Sequence, residues 1–417
     1  MNHFLPSLLL AAVISTGVLC AQPSTPGTSS QDSINRAFDR QISEMKSLKI
    51  SGYVQTEWQR FSQAGSVGGR ALYSDSRRNF FTIRRGRVKF QHRFSENMTA
   101  VLQPDITETG VRIKDAYAQF TLVPSSELAV TTGMFNRPNY EVELSSSTRE
   151  SIERSQVVRA FYPNERDLGV MFSAKHKLFE GFSPKLQLGI FNGVGTDPEV
   201  DAYKDIITRL TFPIPFPKGS AIRADLGTSF YYGGIPQTGD SIITTVDGAK
   251  ATIANDATGD WRGWGNRRNF NVEAQIYLDV LPFGTTTIKG EFLAGQRPTA
   301  AVAGRKADTV NFIPAVTARP LQLRNQMGYY AYFIQNLGSV VQLAAKYDYF
   351  DRNTDMSAGQ VTAFDDAAYG VMGLGAHIMV DNMRVTVWHE IPMVGSGENG
   401  PEDIRDDKST VRFQYRF

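Results

Sequence analysis

"NFFTIRRGRVKFQHRF", residues 79–94, threads cations between apolar side chains. Side chains of a strand point alternately to opposite faces, so the segment divides into two sets. One set is Phe80, Thr82, Arg84, Gly86, Val88, Phe90, His92 and Phe94; the other is Phe81, Ile83, Arg85, Arg87, Lys89, Gln91 and Arg93. From Gly86 onward the first set is apolar and the second cationic. A helix would mix the two, because its faces repeat near 3.6 residues. Two surfaces fit the pattern. One is a half-buried strand of a soluble antiparallel sheet with solvated charges; the other is a barrel strand with lipid on one side and water on the other. In the second case Arg85, Arg87, Lys89 and Arg93 face the lumen, while Val88, Phe90 and Phe94 face lipid. Arg84 and His92 fall on the lipid face in this phase, where rim positions let them snorkel to the interface.

The rest of the chain favours the barrel. Alternation of the same period marks Leu186–Ile190, Ile222–Phe230, Phe270–Val280 and Val341–Phe350. The three longer segments have the roughly 9–11 residues that a tilted strand needs to cross a bilayer. Connections alternate too. Tight turns fall at residues 95–98, 124–127, 178–183, 213–219, 281–284, 336–339 and 381–382. Longer polar loops fall near 61–77, 106–111, 136–165, 193–204, 232–265, 295–320, 351–366 and 392–408. These connections join about sixteen strands, with short turns on one rim and long loops on the other, the arrangement of a transmembrane antiparallel β-barrel. Aromatic clusters at Phe230–Tyr232, Tyr329–Phe333, Tyr347–Phe350 and Phe413–Phe417 suit interfacial girdles. The last strand, "STVRFQYRF", has to pair with the first, near Lys49–Arg60, because an open edge in lipid leaves backbone groups unpaired.

Composition is consistent with this. Lys plus Arg total 44 and Asp plus Glu 42, a net charge of +2, which gives no basic excess for nucleic acid. After the N-terminus no apolar run reaches the about 18 residues of a membrane helix. Residues 1–21, apolar and ending in small residues, predict a secretory signal peptide for export toward a bacterial outer membrane. The single cysteine, Cys20, lies inside that segment and follows Leu19, not the small residue of a lipoprotein signal. Removal of the signal leaves no cysteine for disulfides or zinc. Residues 22–48 read as a flexible or short helical periplasmic leader, with Ile34, Phe38, Ile42 and Met45 at helical spacing, and residues 49–417 as the barrel.

Sixteen or so strands enclose an aqueous channel whose lining sets selectivity, and rings of Arg or Lys favour anions and phosphate. The segment between the fifth and sixth strands, Gly133–Phe172, contains nearly thirty residues of loop, a length that marks function. It carries Arg137, Arg149, Arg154 and Arg159 beside Glu141, Glu143, Glu150 and Glu153. One reading is a solvated surface loop with pairs such as Glu150–Arg154; the other folds it into the lumen as a constriction.

"LSSSTRESIERS" and "ERDLGVMF" of this loop, with "RRGRVKF" and "VRIKDAYAQF", resemble the phosphate-selective porins O and P. The resemblance implies trimeric sixteen-stranded channels with an infolded third loop and a basic anion pathway. It implies that pathway at Arg85, Arg87, Lys89, Arg93, Arg149, Arg154 and Arg159. Glu143, Glu153 and Arg137 then belong to the constriction loop, and Asp115 is an acid that orients a cation. Two departures stand out: the loop holds no lysine, and its glutamates dilute positive potential.

The function expected is passive diffusion of small hydrophilic solutes with a bias toward anions such as phosphate. A general porin for small polar solutes, or a non-conducting barrel acting as adhesin or lipid enzyme, is the alternative. Enzyme and cofactor signals are poor: His3, His92, His176, His377 and His389 have no metal-ligand spacing, and no GxSxG occurs. Asp197, Asp201 and Asp205 follow no EF-hand order.

Overall fold

Alternation of period two is a property of extended chain, and most of the described chain is strand. The computed structural model describes residues 47–62, 79–199, 202–236, 241–246, 249–254, 264–300, 321–355, 368–394 and 407–417. The expected signal peptide and nearly all of the leader lie outside the described residues. The strands are β1 (Leu48–Phe61), β2 (Asn79–Ser95), β3 (Met98–Thr107), β4 (Gly110–Val123), β5 (Leu128–Asn136), β6 (Arg166–Lys175), β7 (Lys185–Phe191), β8 (Asp205–Pro213) and β9 (Ile222–Pro236). They continue as β10 (Ser241–Val246), β11 (Ala249–Ala254), β12 (Trp264–Leu278), β13 (Thr286–Ala300), β14 (Leu321–Leu337), β15 (Val341–Asp351), β16 (Tyr369–Val380), β17 (Met383–Val394) and β18 (Lys408–Arg416). One short helix, α1 (Gln156–Phe161), lies between β5 and β6.

Neighbouring wall strands pair antiparallel, and β9 pairs directly with β12, so the β10–β11 hairpin stands aside from the wall. The first and last strands close the cylinder in the register Tyr53↔Arg416 to Phe61↔Lys408. The result is a closed sixteen-stranded antiparallel barrel, the transmembrane solution that leaves no backbone edge in hydrocarbon. The hairpin reaches β14, where Ile242↔Leu321 and Ile243↔Gln322 pair in parallel, a device the sequence pattern did not announce.

All seven expected tight turns join consecutive wall strands. The expected loop at 106–111 is different: β3 and β4 are joined by Glu108 and Thr109 alone. Gly110 at φ 125° and the Thr107–Thr109 hydroxyl contact of 2.9 Å close it into a two-residue turn.

The opening segment contains a β-bulge. Gln55 pairs with Arg85, but Thr56 pairs with Ile83, so Arg84 is an extra residue on β2. The bulge inverts the phase on its two sides. Phe81, 79% exposed, and Ile83 face outward, Thr82 inward; beyond the bulge Arg85 and Arg87 face inward and Phe90 outward. The expectation that Arg84 faces lipid is therefore corrected. The inserted position turns its guanidinium into the lumen, onto Glu153. His92 keeps the outward phase next to the β2–β3 turn, edge-on to Phe94 at 4.3 Å.

Three of the four aromatic clusters are divided by the same alternation, and the aromatics of the Phe413–Phe417 cluster all face outward. Phe230, Tyr232, Tyr329, Phe333, Tyr347, Phe413 and Tyr415 lie on the outer surface, as girdles require. Tyr231, Tyr330, Tyr332 and Phe350 instead point into the lumen and are buried. What they pack against is the loop between β5 and β6.

Candidate functional site

Residues 137–165 fold into the barrel and bring their own apolar core. Tyr140, Val142, Ile152, Val157, Val158, Phe161 and Tyr162 pack with inward wall residues including Phe135, Met171, Phe191, Ile207, Leu293, Tyr332 and Trp388. Burying each such side chain stabilises the loop by about 1.5–3 kcal/mol. The wall makes room with glycine. Trp388 lies across Gly373 and Gly375 of β16, and Gly328 of β14 leaves space for Val157, which an added Cβ would meet at 2.8 Å.

Helix α1, like any α-helix, leaves its first N–H groups without a partner inside the helix. The Ser155 amide donates to Glu143 (2.6 Å) and the Gln156 amide to Asp348 of β15 (2.7 Å). Glu143 is fully buried, salt-bridged to Lys346 at 2.8 Å and hydrogen-bonded by the Tyr332 hydroxyl. Burial works to raise its pKa, but Lys346 and Arg149 prevail and hold it below the usual carboxylate range. The segment 146–152 is fixed mainly through its carbonyls. Gln55 donates to Ser146, Gln414 and Arg416 to Ser147, Arg384 to Thr148 and Arg149, and Arg412 to Ile152. At the loop's start, the amides of Glu141 and Val142 donate to Glu291, and that of Glu141 also to Glu273.

The sequence-derived residues fall into three groups. Arg85 and Arg87 lie beneath the loop, each 6% exposed. Arg85 donates to Gln55 (3.0 Å) and lies 3.6 Å from Glu153; Arg87 bonds Asp105 (3.1 Å) and Ser146 (3.0 Å). Farther along β2, Lys89 is half-buried and Arg93 exposed on the same inward phase, toward the short-turn rim.

The loop arginines form the second group. Arg137 pairs with Asp167 at 3.5 Å under Tyr231. Arg149 is buried and donates to the carbonyls of Glu143 and Ile152, both at 3.1 Å. Arg154 donates to the Tyr140 hydroxyl (2.9 Å) and pairs with Glu165 (3.2 Å). The i,i+4 pair Glu150–Arg154 is not made, since Glu150 reaches Lys289 of β13 at 2.7 Å. Arg159 closes α1 half-buried. Burial raises the Tyr140 hydroxyl to about 12 against the pull of Arg154. Burial also works to raise Glu165, but Arg154 and Arg166 hold it well below the carboxylate range.

The third group is acidic. Glu153 takes the Arg84 guanidinium on both oxygens, at 2.6 and 2.9 Å. Burial opposes its charge, yet Arg84 and Arg85 hold its carboxyl well below the ordinary range. Asp115 holds Arg166, its Oδ1 accepting from Nε at 2.7 Å.

Sequence reading missed the wall partners: Lys346, Arg384, Arg412, Glu273, Glu291 and Trp388. Each is an inward position on an alternating strand, so that signal was present, but nothing local shows which inward positions meet the loop. Asp205, once considered with Asp197 and Asp201, instead pairs with Arg267 at 3.3 Å. Among the described residues no group of three or more His, Cys, Asp or Glu is placed to hold a metal.

No protein-family model and no curated protein matches the sequence. Solved structures do match by fold. Three with a TM-score of 0.53 are OmpT of Vibrio cholerae in its trimer form, the outer membrane channel DcaP of Acinetobacter baumannii, and OmpF of Salmonella typhi in complex with daunomycin. Their identities to this chain are 10%, 10% and 12%; each alignment covers 89% of this chain and 99%, 97% and 97% of theirs. At such identities the likeness is one of architecture: this chain is folded as outer-membrane β-barrel proteins of the porin type are folded.

Proposed function

We propose that the protein is an outer-membrane porin for passive diffusion of small hydrophilic solutes, biased toward anions such as phosphate, and that it works as a homotrimer of the phosphate-selective porin type. The observation that carries the reading is the inward row of β2, where Lys89 and Arg93 remain accessible on the face that Arg85 and Arg87 begin. Arg85, Arg87 and Lys89 follow one another about 6.5–7 Å apart along the strand and Arg93 about 13 Å beyond Lys89, a row along which an anion passes without being held. Pathway roles go first to Lys89 and Arg93. Arg85, Arg87, Arg149, Arg154 and Arg159 act through the shape and field of the constriction, with Arg137, Glu143 and Glu153 fixing the loop and Asp115 orienting Arg166.

A second reading, a general porin for small polar solutes, is favoured by charge pairing at the constriction: Glu153 with Arg84, Glu165 with Arg154 and Asp105 with Arg87 leave little net field there. Planar-bilayer recording in a KCl gradient separates the two. The anion-biased channel gives a reversal potential on the chloride side, and Lys89→Glu with Arg93→Glu moves it toward potassium. An unchanged reversal potential in that variant removes both residues from the pathway. A near-zero wild-type value selects the general porin.

A further inference from the structure

Where the inner face of β16–β18 meets loop residues 147–152, positive charge exceeds what its partners answer. Four guanidinium groups gather there: Arg149 of the loop, Arg384 of β17, and Arg412 and Arg416 of β18, the other three within electrostatic reach of Arg384. One carboxylate joins them. Glu57 of β1 accepts from Arg412 Nε at 2.7 Å and Nη2 at 2.5 Å. The other bonds of the four arginines go to neutral acceptors: loop carbonyls and the Thr386 hydroxyl. The other acids nearby are shared with further cations: Glu150 pairs with Lys289 as well as facing Arg384, Glu153 pairs with Arg84, and Glu143 pairs with Lys346 as well as facing Arg149.

Several donors here have no acceptor: Arg149 Nε, Arg412 Nη1 and Arg416 Nε. His377 supplies a fourth. Its Nδ1 lies 2.9 Å from Thr386 Oγ1, which also accepts from Arg384 Nε at 3.3 Å. With the threonine hydrogen directed to Nδ1, the ring proton sits on Nε2, which has no partner among the described residues. His377 and Arg412 are both 0% exposed. Strand register places them on one inward patch: His377 opposite Thr386, and Thr386 opposite Arg412. A buried excess of cations with unanswered N–H groups is costly unless a counter-charge is bound.

We propose that this patch binds a small inorganic anion, phosphate or chloride, which accepts from Arg412, Arg149, Arg416 and His377. Half-buried Arg416, nearest the short-turn rim, is the side from which the ion enters. The site deepens the anion-biased porin reading and rests on it for a supply of ions through the lumen. An anion seated there ties loop to wall, so occupancy also stabilises the constriction.

The test uses the purified full-length protein, with inorganic phosphate and chloride as probes against gluconate at matched ionic strength. Thermal unfolding is expected to show saturable stabilisation by phosphate or chloride, a bound ion stabilising only the folded state. His377→Phe raises the half-saturating concentration roughly tenfold and His377→Gln, which keeps a donor near Nε2, restores it. Whichever probe saturates names the ion. Absence of saturation with both, or His377→Phe indistinguishable from wild type, overturns the site. Arg416→Gln, at the half-buried edge, gives the same readout should His377→Phe not fold. Reversal potentials on the same preparations separate the two claims. Cation selectivity with saturable binding removes the anion-channel reading and leaves the site, whereas anion selectivity without saturable binding removes the site alone.

Discussion

Replacing Glu153 by glutamine tests whether the bulge at Arg84 sets the field of the constriction. The glutamine keeps the shape of the side chain and removes its charge. Wild-type Glu153 accepts from Arg84 at 2.6 and 2.9 Å and lies 3.6 Å from Arg85. The side chains of Arg84 and Glu153 are 23% and 22% exposed, so the pair lies between surface and buried cases. Losing it weakens loop anchoring by about 1–3 kcal/mol, between the ~1 kcal/mol of exposed pairs and the ~3–5 kcal/mol of breaking buried ones. Its removal also uncovers positive charge. A unit charge about 7 Å from a passing ion in water acts with about 0.6 kcal/mol, and screening at 0.1 M salt roughly halves that. The anion gains what the cation loses, so the permeability ratio shifts by about 0.6 kcal/mol, roughly threefold toward anions. The assay is the reversal potential in a KCl gradient at neutral pH, with single-channel conductance recorded alongside. An unchanged ratio at unchanged conductance, or a shift toward cations, refutes the placement of Arg84 in the lumen. Acid provides a second arm. A carboxyl whose pKa is depressed in the folded state contributes stability above its unfolded value, near 4.5, and loses it as pH falls through the folded one. Wild type therefore keeps its selectivity down to about pH 4.5 and changes toward the variant only in stronger acid.

Three further outcomes are expected. Lys346→Met leaves Glu143 buried without its cation and weakens loop docking by about 3–5 kcal/mol, read as protease cleavage within residues 137–165 while the barrel stays folded. Gly328→Val drives side-chain atoms into Val157 of α1 and against the Tyr349 carbonyl of β15, read as larger or noisier single-channel conductance together with a lowered barrel unfolding temperature. Trp388→Ala opens a cavity over Gly373 and Gly375 and costs about 3–5 kcal/mol in the same loop-cleavage assay.

The sequence by itself determined the barrel. Period-two alternation and the sorting of tight turns along one rim are local properties, so the wall strands and the β1–β18 closure were legible in it. The loop between β5 and β6 was legible as a long polar insertion. What only the tertiary structure decided is where each charge ends. The bulge that turns Arg84 inward arises because β1 and β2 differ by one residue in register, and no single strand records that difference. Arg149 and Arg154 look like open cations in the chain, yet they hold loop groups because the loop meets the wall. Glu143 meets Lys346, and Ile152 meets Arg412 at a separation of 260 residues, because the sheet closes into a cylinder around the loop. Alternation gives each side chain a face; the partner it meets across the lumen depends on the curvature, shear and packing of the whole barrel.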